Sequence, residues 1–331
     1  MKENRGKAVA ILAGGNSEER PVSLASAKQI KLWLEKTEYI PYIIDIQGFQ
    51  WEYTEEDGAI HPFDTSTFTL PIPGRTVHFA AALIATHGDP GENGLLQGYL
   101  EMRGIPHTTG DVLAQSLSFH KAACKRYLQG LIPMAPSIEL NSDKELDMRT
   151  IAEEIGYPLF VKPTDNGSSV GVYMVKAEEE LKAAVIKSLQ CGASILIERA
   201  IRGVEVSCGM VHLEGKDIVF PITQLIAKDA EFFDFKSKYS GEAQEITPAP
   251  IPEDTAQRIA EYMRIAYHQL RLRGMARAEF IIENGTPYFL EINTVPGMTA
   301  TSILPQQVAA YGWTMEDLLA RVLNEVTKEQ K

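Results

Sequence analysis

Short hydrophobic segments alternate with polar, glycine-containing turns along the first hundred residues, and their order predicts parallel α/β structure. An apolar strand is expected over residues 7–13, an amphipathic helix over about 23–36 and a second strand over 39–46. A glycine turn separates the first strand from the helix, so these elements predict a parallel β-α-β unit. A buried strand at 78–86 and a helix at 95–104, which a glycine ends, continue this unit.

The middle of the chain predicts a second unit, which contains a loop rich in glycine and serine. The expected helices and strands cover residues 112–130, 143–155, 157–162, 172–175, 178–189 and 194–197. The loop, PTDNGSSVG at 163–171, connects two strands, so it is not a P-loop, which requires GK[ST] at the start of a helix. Its backbone N–H groups and hydroxyls suit phosphates, with Lys162 supplying a charge; an ordinary hairpin loop is the alternative.

The last third predicts antiparallel strands around a long loop. Strands are expected at 205–212 and 217–225, and an amphipathic helix at 252–272. Residues 230–246 form the polar and aromatic segment AEFFDFKSKYSGEAQEI. Loops of this length are usually lids or disordered, and the aromatic side chains favour a lid. A last helix is expected after a Thr314 cap.

The segment from 275 to 298 is the strongest candidate for a metal site. Asn284 and Gly285 separate two short apolar strands, which is a strong signal for a β-hairpin. Four polar residues interrupt these strands: Arg277, Glu279, Glu291 and Asn293. A two-residue loop would put Glu279 and Glu291 on opposite faces, whereas a three-residue loop with a glycine bulge would bring all four together. On one face, their two carboxylates and amide oxygen would suit Mg²⁺.

Composition and charge restrict the classes of function. A chain of 331 residues with 44% hydrophobic and 23% charged residues predicts two or three ordinary globular domains. The net charge of −12 argues against a nucleic-acid or anionic-membrane surface, and no hydrophobic run is long enough to span a bilayer. The scattered cysteines Cys124, Cys191 and Cys208 are typical of reduced thiols in a cytosolic protein.

Six segments, in order along the chain, carry a family resemblance over nearly its whole length. They are GGNSEERPVSL at 14–24, HGDPGENGLLQGYLE at 87–101, FVKPTDNGSSVGV at 160–172, LIERAIRGVEVS at 196–207, FDFKSKYS at 233–240 and RAEFIIENGTPYFLEINTVPGMTATSILP at 277–305. With these segments the chain resembles the D-alanine–D-alanine ligase family of ATP-grasp enzymes.

The resemblance implies a three-lobed α/β ATP-grasp fold: a parallel-sheet N-terminal lobe at 1–110 and two α+β lobes, at 111–198 and 199–331, that enclose ATP. The lid at 230–246 and the metal hairpin would belong to the last lobe. The implied reaction joins two D-alanine molecules through an acyl phosphate, for peptidoglycan precursor synthesis.

The resemblance also implies roles for individual residues. ATP would contact Lys121, Lys162, Glu198, Ile201, Glu205 and Lys238. Two Mg²⁺ ions, or Mn²⁺, would bind Glu279, Glu291 and Asn293. The D-alanine substrates would contact Glu19, His87, Ser302 and Ile303. Catalysis would involve Glu19, a link between Ser168 and Tyr239 across the site, and an oxyanion site formed by Arg277 and the Gly297 amide.

The chain departs from the family pattern at a few positions, and related functions stay open. Glu279 stands where Asp is usual, which changes the reach of the carboxylate and not its charge. D-alanine–D-lactate ligases generally lack the lid pair Lys238-Tyr239 found here, which favours a dipeptide product. A different ATP-grasp carboxylate–amine ligase and a non-catalytic ATP-binding protein are two further possibilities. The resemblance implies a cytoplasmic homodimer that binds D-alanine and ATP and neither nucleic acid nor membrane.

Overall fold

Three β-sheets with their own helices follow one another along the chain in the computed structural model, which describes residues 6–167, 169–227 and 243–328. Ser168, Lys238, Tyr239 and most of the expected lid lie outside the described residues. Within the described ranges, every helix is too short or too polar to cross a lipid bilayer.

The first lobe is built on the predicted parallel unit. Its five-stranded sheet has the order β4-β3-β2-β1-β7, with β1 parallel to both β2 and β7. The strands are β1 Lys7–Gly14, β2 Tyr39–Gln47, β3 Gln50–Thr54, β4 Ile60–Pro62 and β7 Ala81–Ile84, and a separate hairpin contains β5 Thr69–Ile72 and β6 Arg75–His78. The helices are α1 Arg20–Leu34 and α2 Leu95–Met102.

Two boundaries in this lobe differ from the prediction. The strand expected at 78–86 is only Ala81–Ile84, because His78 pairs with Thr69 in the separate hairpin. Helix α1 begins at Arg20, three residues earlier than expected, since Pro21 occupies the first turn, where its missing N–H costs no hydrogen bond.

The second lobe contains a four-stranded sheet in the order β10-β9-β11-β8. Its strands are β8 Ser137–Leu140, β9 Leu159–Pro163, β10 Tyr173–Val175 and β11 Ile195–Arg199, and its helices are α3 Val112–Phe119, α4 Lys121–Tyr127, α5 Met148–Glu154 and α6 Glu178–Leu189. The single helix expected at 112–130 is therefore two helices. His120 separates them with an extended backbone, and its ring nitrogen Nδ1 accepts a hydrogen bond from the Ala123 N–H. This break places Lys121 at the start of α4.

The third lobe contains the six-stranded sheet β15-β14-β12-β16-β17, with β13 paired to β12. Its strands are β12 Val204–Leu213, β13 Lys216–Val219, β14 Thr223–Ala227, β15 Ala243–Ile246, β16 Met275–Glu283 and β17 Thr286–Asn293. Helix α7, Glu253–Gln269, packs against this sheet through the predicted apolar face, where Ile259, Met263 and Ala266 are fully buried.

The chain ends with two helices, α8 Ile303–Tyr311 and α9 Met315–Lys328. The Asp317 N–H donates to the Thr314 hydroxyl at 3.1 Å, which confirms the predicted cap. Leu318, Leu319, Val322 and Leu323 of α9 are buried in one hydrophobic cluster with β1, α1 and β7. The last helix therefore completes the core of the first lobe.

Candidate active site

The hairpin β16–β17 has the two-residue loop of one predicted alternative and the common acidic face of the other. Glu283 pairs with Thr286 across a two-residue turn, in which Asn284 and Gly285 both have positive φ. With that turn and regular pairing along the strands, Glu279 and Glu291 would lie on opposite faces of the hairpin. The register shifts further along, however, so that Phe280 pairs with Phe289 while Glu279 pairs with Glu291.

The extra residue in this register shift is Leu290, which forms a β-bulge in β17. The bulge returns the acidic residues of both strands to the same face of the hairpin. Glu279 and Glu291 lie directly opposite each other, and the Arg277–Asn293 pair lies beside them. The predicted common face is therefore confirmed, but the loop has two residues and not three, because the additional residue lies in the strand.

Arg277 is held in place from two sides. Its Nη1 donates to the Ser207 hydroxyl and to Glu279 Oε1, at 2.8 Å each. Ser207 is fully buried on β12 and pairs in register with Glu279, so the backbone fixes this arrangement. The guanidinium is thus anchored before any ligand binds. Ser207 lies within a segment that carries the family resemblance, although no local pattern singles it out.

A second charged group is buried between the second and third lobes. Glu198 on β11 forms ion pairs with Lys162 Nζ at 3.0 Å and with Lys125. Burial by itself would raise the pKa of Glu198, but the two ammonium groups outweigh it and hold the pKa below its usual value. Lys125 also donates to the Ala135 carbonyl at 3.2 Å. The sequence placed Lys125 on a helix without assigning it to the site.

Lys121 connects the glycine-rich loop with the acidic hairpin. Its Nζ donates to the Asn166 carbonyl at 2.6 Å and lies 3.8 Å from Glu291 Oε2. Its backbone N–H donates to the Thr164 carbonyl at 2.7 Å, which ties the start of α4 to the end of β9. An ammonium is therefore positioned between the loop and the carboxylates.

A cavity of about 610 Å³ lies next to these groups, and we call it the first cavity. Its polar lining includes Lys121, Lys162, Glu198, Glu205, Glu279 and Glu291. Its apolar lining includes Phe160, Val172, Met174, Ile201, Ile281 and Leu290. Apolar walls with a few charged groups at defined places are typical of a site for a large organic ligand.

A second cavity, of about 720 Å³, adjoins the first. Its lining includes Glu19, His87, Arg277, Asn293, Gly297, Ser302 and Ile303. The two cavities share the lining residues Lys121, Asn166, Gly167, Glu279 and Glu291. They therefore meet at the glycine-rich loop and the acidic hairpin.

The end of the second cavity at the first lobe holds two carboxyl groups and an imidazole. His87 and Glu92 are buried, and Glu92 Oε2 accepts a hydrogen bond from the Gly88 N–H at 2.8 Å. Burial lowers the pKa of His87, and the nearby Glu19 opposes that shift. Burial and then Glu19 raise the pKa of Glu92 to about 8. Near neutral pH, Glu92 is therefore largely uncharged beside Glu19.

The glycine-rich loop approaches Glu19 closely. A Cβ atom at Gly167 would collide with the Glu19 carboxylate, so a larger residue there would displace that carboxylate from its position. The segment before α8 also lines the second cavity, and its Ser302 hydroxyl accepts a hydrogen bond from the Thr299 N–H at 3.0 Å. The lining of the second cavity thus contains both the Glu19 carboxylate and the Ser302 hydroxyl.

All the predicted site residues that the structure describes line one or both cavities. They are Glu19, His87, Lys121, Lys162, Glu198, Ile201, Glu205, Arg277, Glu279, Glu291, Asn293, Gly297, Ser302 and Ile303. Three residues of this site were not predicted: Glu92, Lys125 and Ser207. For Glu92, the available signal was the acidic loop HGDPGENG after a buried strand.

The whole chain is similar to known proteins. Residues 8–110 match the family described as D-ala D-ala ligase N-terminus, and residues 131–324 match D-ala D-ala ligase C-terminus. The D-alanine–D-alanine ligase of Phocaeicola vulgatus is 40% identical over 319 residues, covering 96% of this chain and 98% of that protein. The enzyme of the same name from Parabacteroides distasonis is 40% identical over 334 residues, covering 100% and 99%.

Solved structures share this fold. D-alanyl-alanine synthetase A from Vibrio cholerae has a TM-score of 0.87 at 27% identity, covering 97% of this chain and 98% of that one. The VanG D-Ala:D-Ser ligase from Enterococcus faecalis has a TM-score of 0.86 at 26% identity, covering 97% and 100%. The Bacillus anthracis D-alanine–D-alanine ligase complexed with ATP has a TM-score of 0.79 at 26% identity, covering 98% and 100%. With both halves of the family matched and close relatives over its full length, the chain belongs to the D-alanine–D-alanine ligase family of ATP-grasp enzymes.

Proposed function

We propose that this chain joins two D-alanine molecules into D-alanyl-D-alanine, with ATP bound in the first cavity and both amino acids in the second. The observation that carries this proposal is the junction of the two cavities at Lys121, Glu279 and Glu291. A phosphoryl group passing from a nucleotide to a carboxylate must cross such a junction. The product serves the synthesis of peptidoglycan precursors, as the family name implies.

In the first cavity, the apolar lining around Ile201 receives the adenine beside Glu198, Glu205 meets the ribose, and Lys121 and Lys162 face the phosphates. Glu198 supports this arrangement because it holds the Lys162 ammonium at 3.0 Å before any nucleotide binds. Phosphoryl transfer depends mainly on positioning and charge neutralisation, which two fixed lysines help to provide.

Glu279, Glu291 and Asn293 are proposed to hold two Mg²⁺ ions, or Mn²⁺. Their donor set consists of two carboxylates on one face of the hairpin with an amide oxygen two residues further on, which are the oxygen ligands that Mg²⁺ prefers. Arg277 and Lys121 offset the repulsion between these two opposed carboxylates, and a bound cation would lower it further. When bound, Mg²⁺ neutralises charge on the transferred phosphoryl group.

The first D-alanine is proposed to place its ammonium at Glu19, close to His87. The raised pKa of Glu92 supports this assignment, because an uncharged Glu92 does not compete with Glu19 for an ammonium of one positive charge. The carboxylate of this D-alanine then points to the junction. Its oxygen forms a bond to the γ-phosphorus as the bond between that phosphorus and ADP breaks.

The second D-alanine is proposed to bind near Ser302 and Ile303, with its amine directed at the acyl phosphate. The C–N bond forms, and the bond from the acyl carbon to the phosphate oxygen then breaks. Arg277 and the Gly297 N–H stabilise the intermediate oxyanion, which requires donors that are already in place. The two hydrogen bonds that fix Arg277 meet that requirement. The roles of Ser168, Lys238 and Tyr239 remain predictions from the sequence.

The test is ADP release by the purified protein with ATP and Mg²⁺, with D-alanine present or absent, followed by mass analysis of the product. We expect ADP release to require D-alanine and to yield the dipeptide. Adding D-lactate or D-serine in competition identifies the acceptor. A depsipeptide or a D-alanyl-D-serine product in excess over the dipeptide would refute the assignment of the second substrate.

We also infer that the protein is a cytoplasmic homodimer formed through the first lobe. Two exposed apolar residues of α2 in this lobe, Leu95 and Met102, support a contact between copies, and Val112 and Leu113 are exposed on the adjoining α3 of the second lobe. Three free cysteines, two of them buried, support a reducing compartment. Light scattering of the wild type and of a Met102→Lys variant tests the dimer, which that charge should dissociate.

A further inference from the structure

Two histidines and an aspartate converge on the third lobe at a place that is separate from the candidate active site. His212 Nδ1 lies 2.6 Å from Asp217 Oδ1, and His268 Nε2 lies 2.9 Å from Asp217 Oδ2. The potential ligand atoms of all three residues lie within 4.8 Å of one another. None of the three residues lines the first or the second cavity. The ligase reaction therefore does not account for this cluster.

The backbone brings the three residues together from two elements. His212 and Asp217 pair directly across the β12–β13 hairpin, whose two-residue turn at Glu214 and Gly215 has positive φ at both positions. His268 comes from the last turn of α7. The cluster thus joins a hairpin to a helix end.

Tyr267 fixes the distance between these two elements. Its side chain is 1% exposed, and its hydroxyl donates to the Gly274 carbonyl at 2.7 Å. The same hydroxyl accepts a hydrogen bond from the His212 N–H at 3.4 Å. A buried side chain that contacts both the hairpin and the segment after α7 holds the cluster in place without a ligand, which is what a preorganised site requires.

We propose that His212, Asp217 and His268 form a binding site for a divalent transition-metal ion of the zinc class. Two imidazole nitrogens and one carboxylate favour Zn²⁺, Ni²⁺ or Cu²⁺ over Mg²⁺, which prefers oxygen ligands. The ion takes the place of the hydrogen bonds between each imidazole and the carboxylate, and each neutral ring then carries its proton on the nitrogen that does not face the ion. The side chains are 39%, 22% and 52% exposed, so water can complete the coordination.

A bound ion would act as a clip between the hairpin and α7. Strand β12 also carries Ser207, which holds Arg277 and pairs with Glu279. Ser207 lies five residues before His212, roughly 17 Å along an extended strand. The ion would stabilise the sheet that contains the acidic hairpin β16–β17, without contacting the reacting groups.

The test is equilibrium dialysis of the full-length protein against Zn²⁺ near neutral pH, with excess Mg²⁺ to occupy the oxygen sites of the hairpin. The variants are His268→Gln and Asp217→Asn, and the matched control is His78→Gln, an exposed histidine on the first lobe. We expect the wild type and the control to bind one more equivalent of Zn²⁺ than either variant, or to bind it at least about tenfold more tightly.

Equal stoichiometry and affinity in all four proteins would overturn the proposal and leave a hydrogen-bonded network without a metal. A second readout uses Co²⁺, whose visible absorption bands report nitrogen ligands in a distorted tetrahedral site. Bands that appear in the wild type and in His78→Gln but disappear in His268→Gln support the site, and identical spectra in all three refute it. His268 is on the surface of α7, so its variant is expected to keep the fold and the rate of ADP release.

Discussion

Replacing Glu92 by Gln should make the first lobe more stable at alkaline pH. Glu92 is 8% exposed, and its carboxyl accepts a hydrogen bond from the Gly88 N–H. A glutamine can accept the same hydrogen bond with its amide oxygen, so the substitution removes the ionisable group and keeps the contact. The difference in free energy of unfolding between the variant and the wild type therefore measures the cost of ionising a buried carboxyl beside Glu19.

The magnitude follows from the two pKa values. The carboxyl titrates near 4.5 when it is unperturbed and at about 8 in the folded protein. Because the folded pKa is the higher one, the folded state binds the extra proton between these values. The stability that Glu92 contributes is complete below about pH 4.5 and is lost as the pH rises through 8. At about 1.4 kcal/mol per pH unit, the full loss is about 5 kcal/mol.

The assay is urea unfolding followed by tryptophan fluorescence at several values between pH 5 and 9. All three tryptophans, Trp33, Trp51 and Trp313, pack in or against the clusters of the first lobe, so the signal reports that lobe. The difference in free energy of unfolding between the variant and the wild type should grow in favour of the variant as the pH rises. The control is Glu52→Gln, on the exposed side of β3. A difference that stays constant across this range would refute the reasoning about Glu92.

Two further substitutions and one deletion test the active site. Lys162→Ala should reduce kcat/KM for ATP at least about tenfold, because a phosphate would lose a charged hydrogen bond. The control is Lys182→Ala, on the surface of α6. Equal ADP-release kinetics in both variants would exclude Lys162 from the site. Deleting Leu290 should remove the bulge, turn Glu279 and Glu291 to opposite faces and abolish the Mg²⁺-dependent activity. A folded deletion variant with wild-type activity would contradict this role of the bulge. Tyr239→His, a prediction from the sequence alone, should shift the product towards D-alanyl-D-lactate at lower pH, where an imidazole with a pKa near 6.5 becomes charged. Identical product ratios in wild type and variant across pH would show that Tyr239 does not determine specificity for the second substrate.

The sequence was most informative where structure is determined locally. Helix α6 begins and ends where its pattern predicted, Glu178–Leu189, because acidic residues occupy its first turn and its apolar spacing is regular. The turn at Asn284 and Gly285 also follows from its two residues, since both must adopt positive φ. In such segments, neighbouring residues contain all the necessary information.

Other features depend on residues that are distant in the chain. The bulge at Leu290 has no local signal, because Leu290 is an ordinary strand residue and the shift depends on pairing with β16. Lys125 enters the site only because Glu198, 73 residues away, lies against it. The raised pKa of Glu92 requires burial that the short motif around it does not encode. The family resemblance indicated residues that line the two cavities, whereas their charge states and fixed orientations required the three-dimensional structure.

The position of α9 has a consequence for the order in which the protein is made and folded. The ion pair between Lys36 and Glu316, at 2.7 Å, joins residues that are 280 positions apart in the chain. Leu318 and Leu323 of α9 are fully buried in the hydrophobic core that also contains residues of β1. Domains emerging from the ribosome usually fold in N-to-C order. Here the residues synthesised first cannot complete their core until those of α9 have left the exit tunnel. The nascent first lobe therefore keeps part of its apolar surface exposed until α9 has been translated.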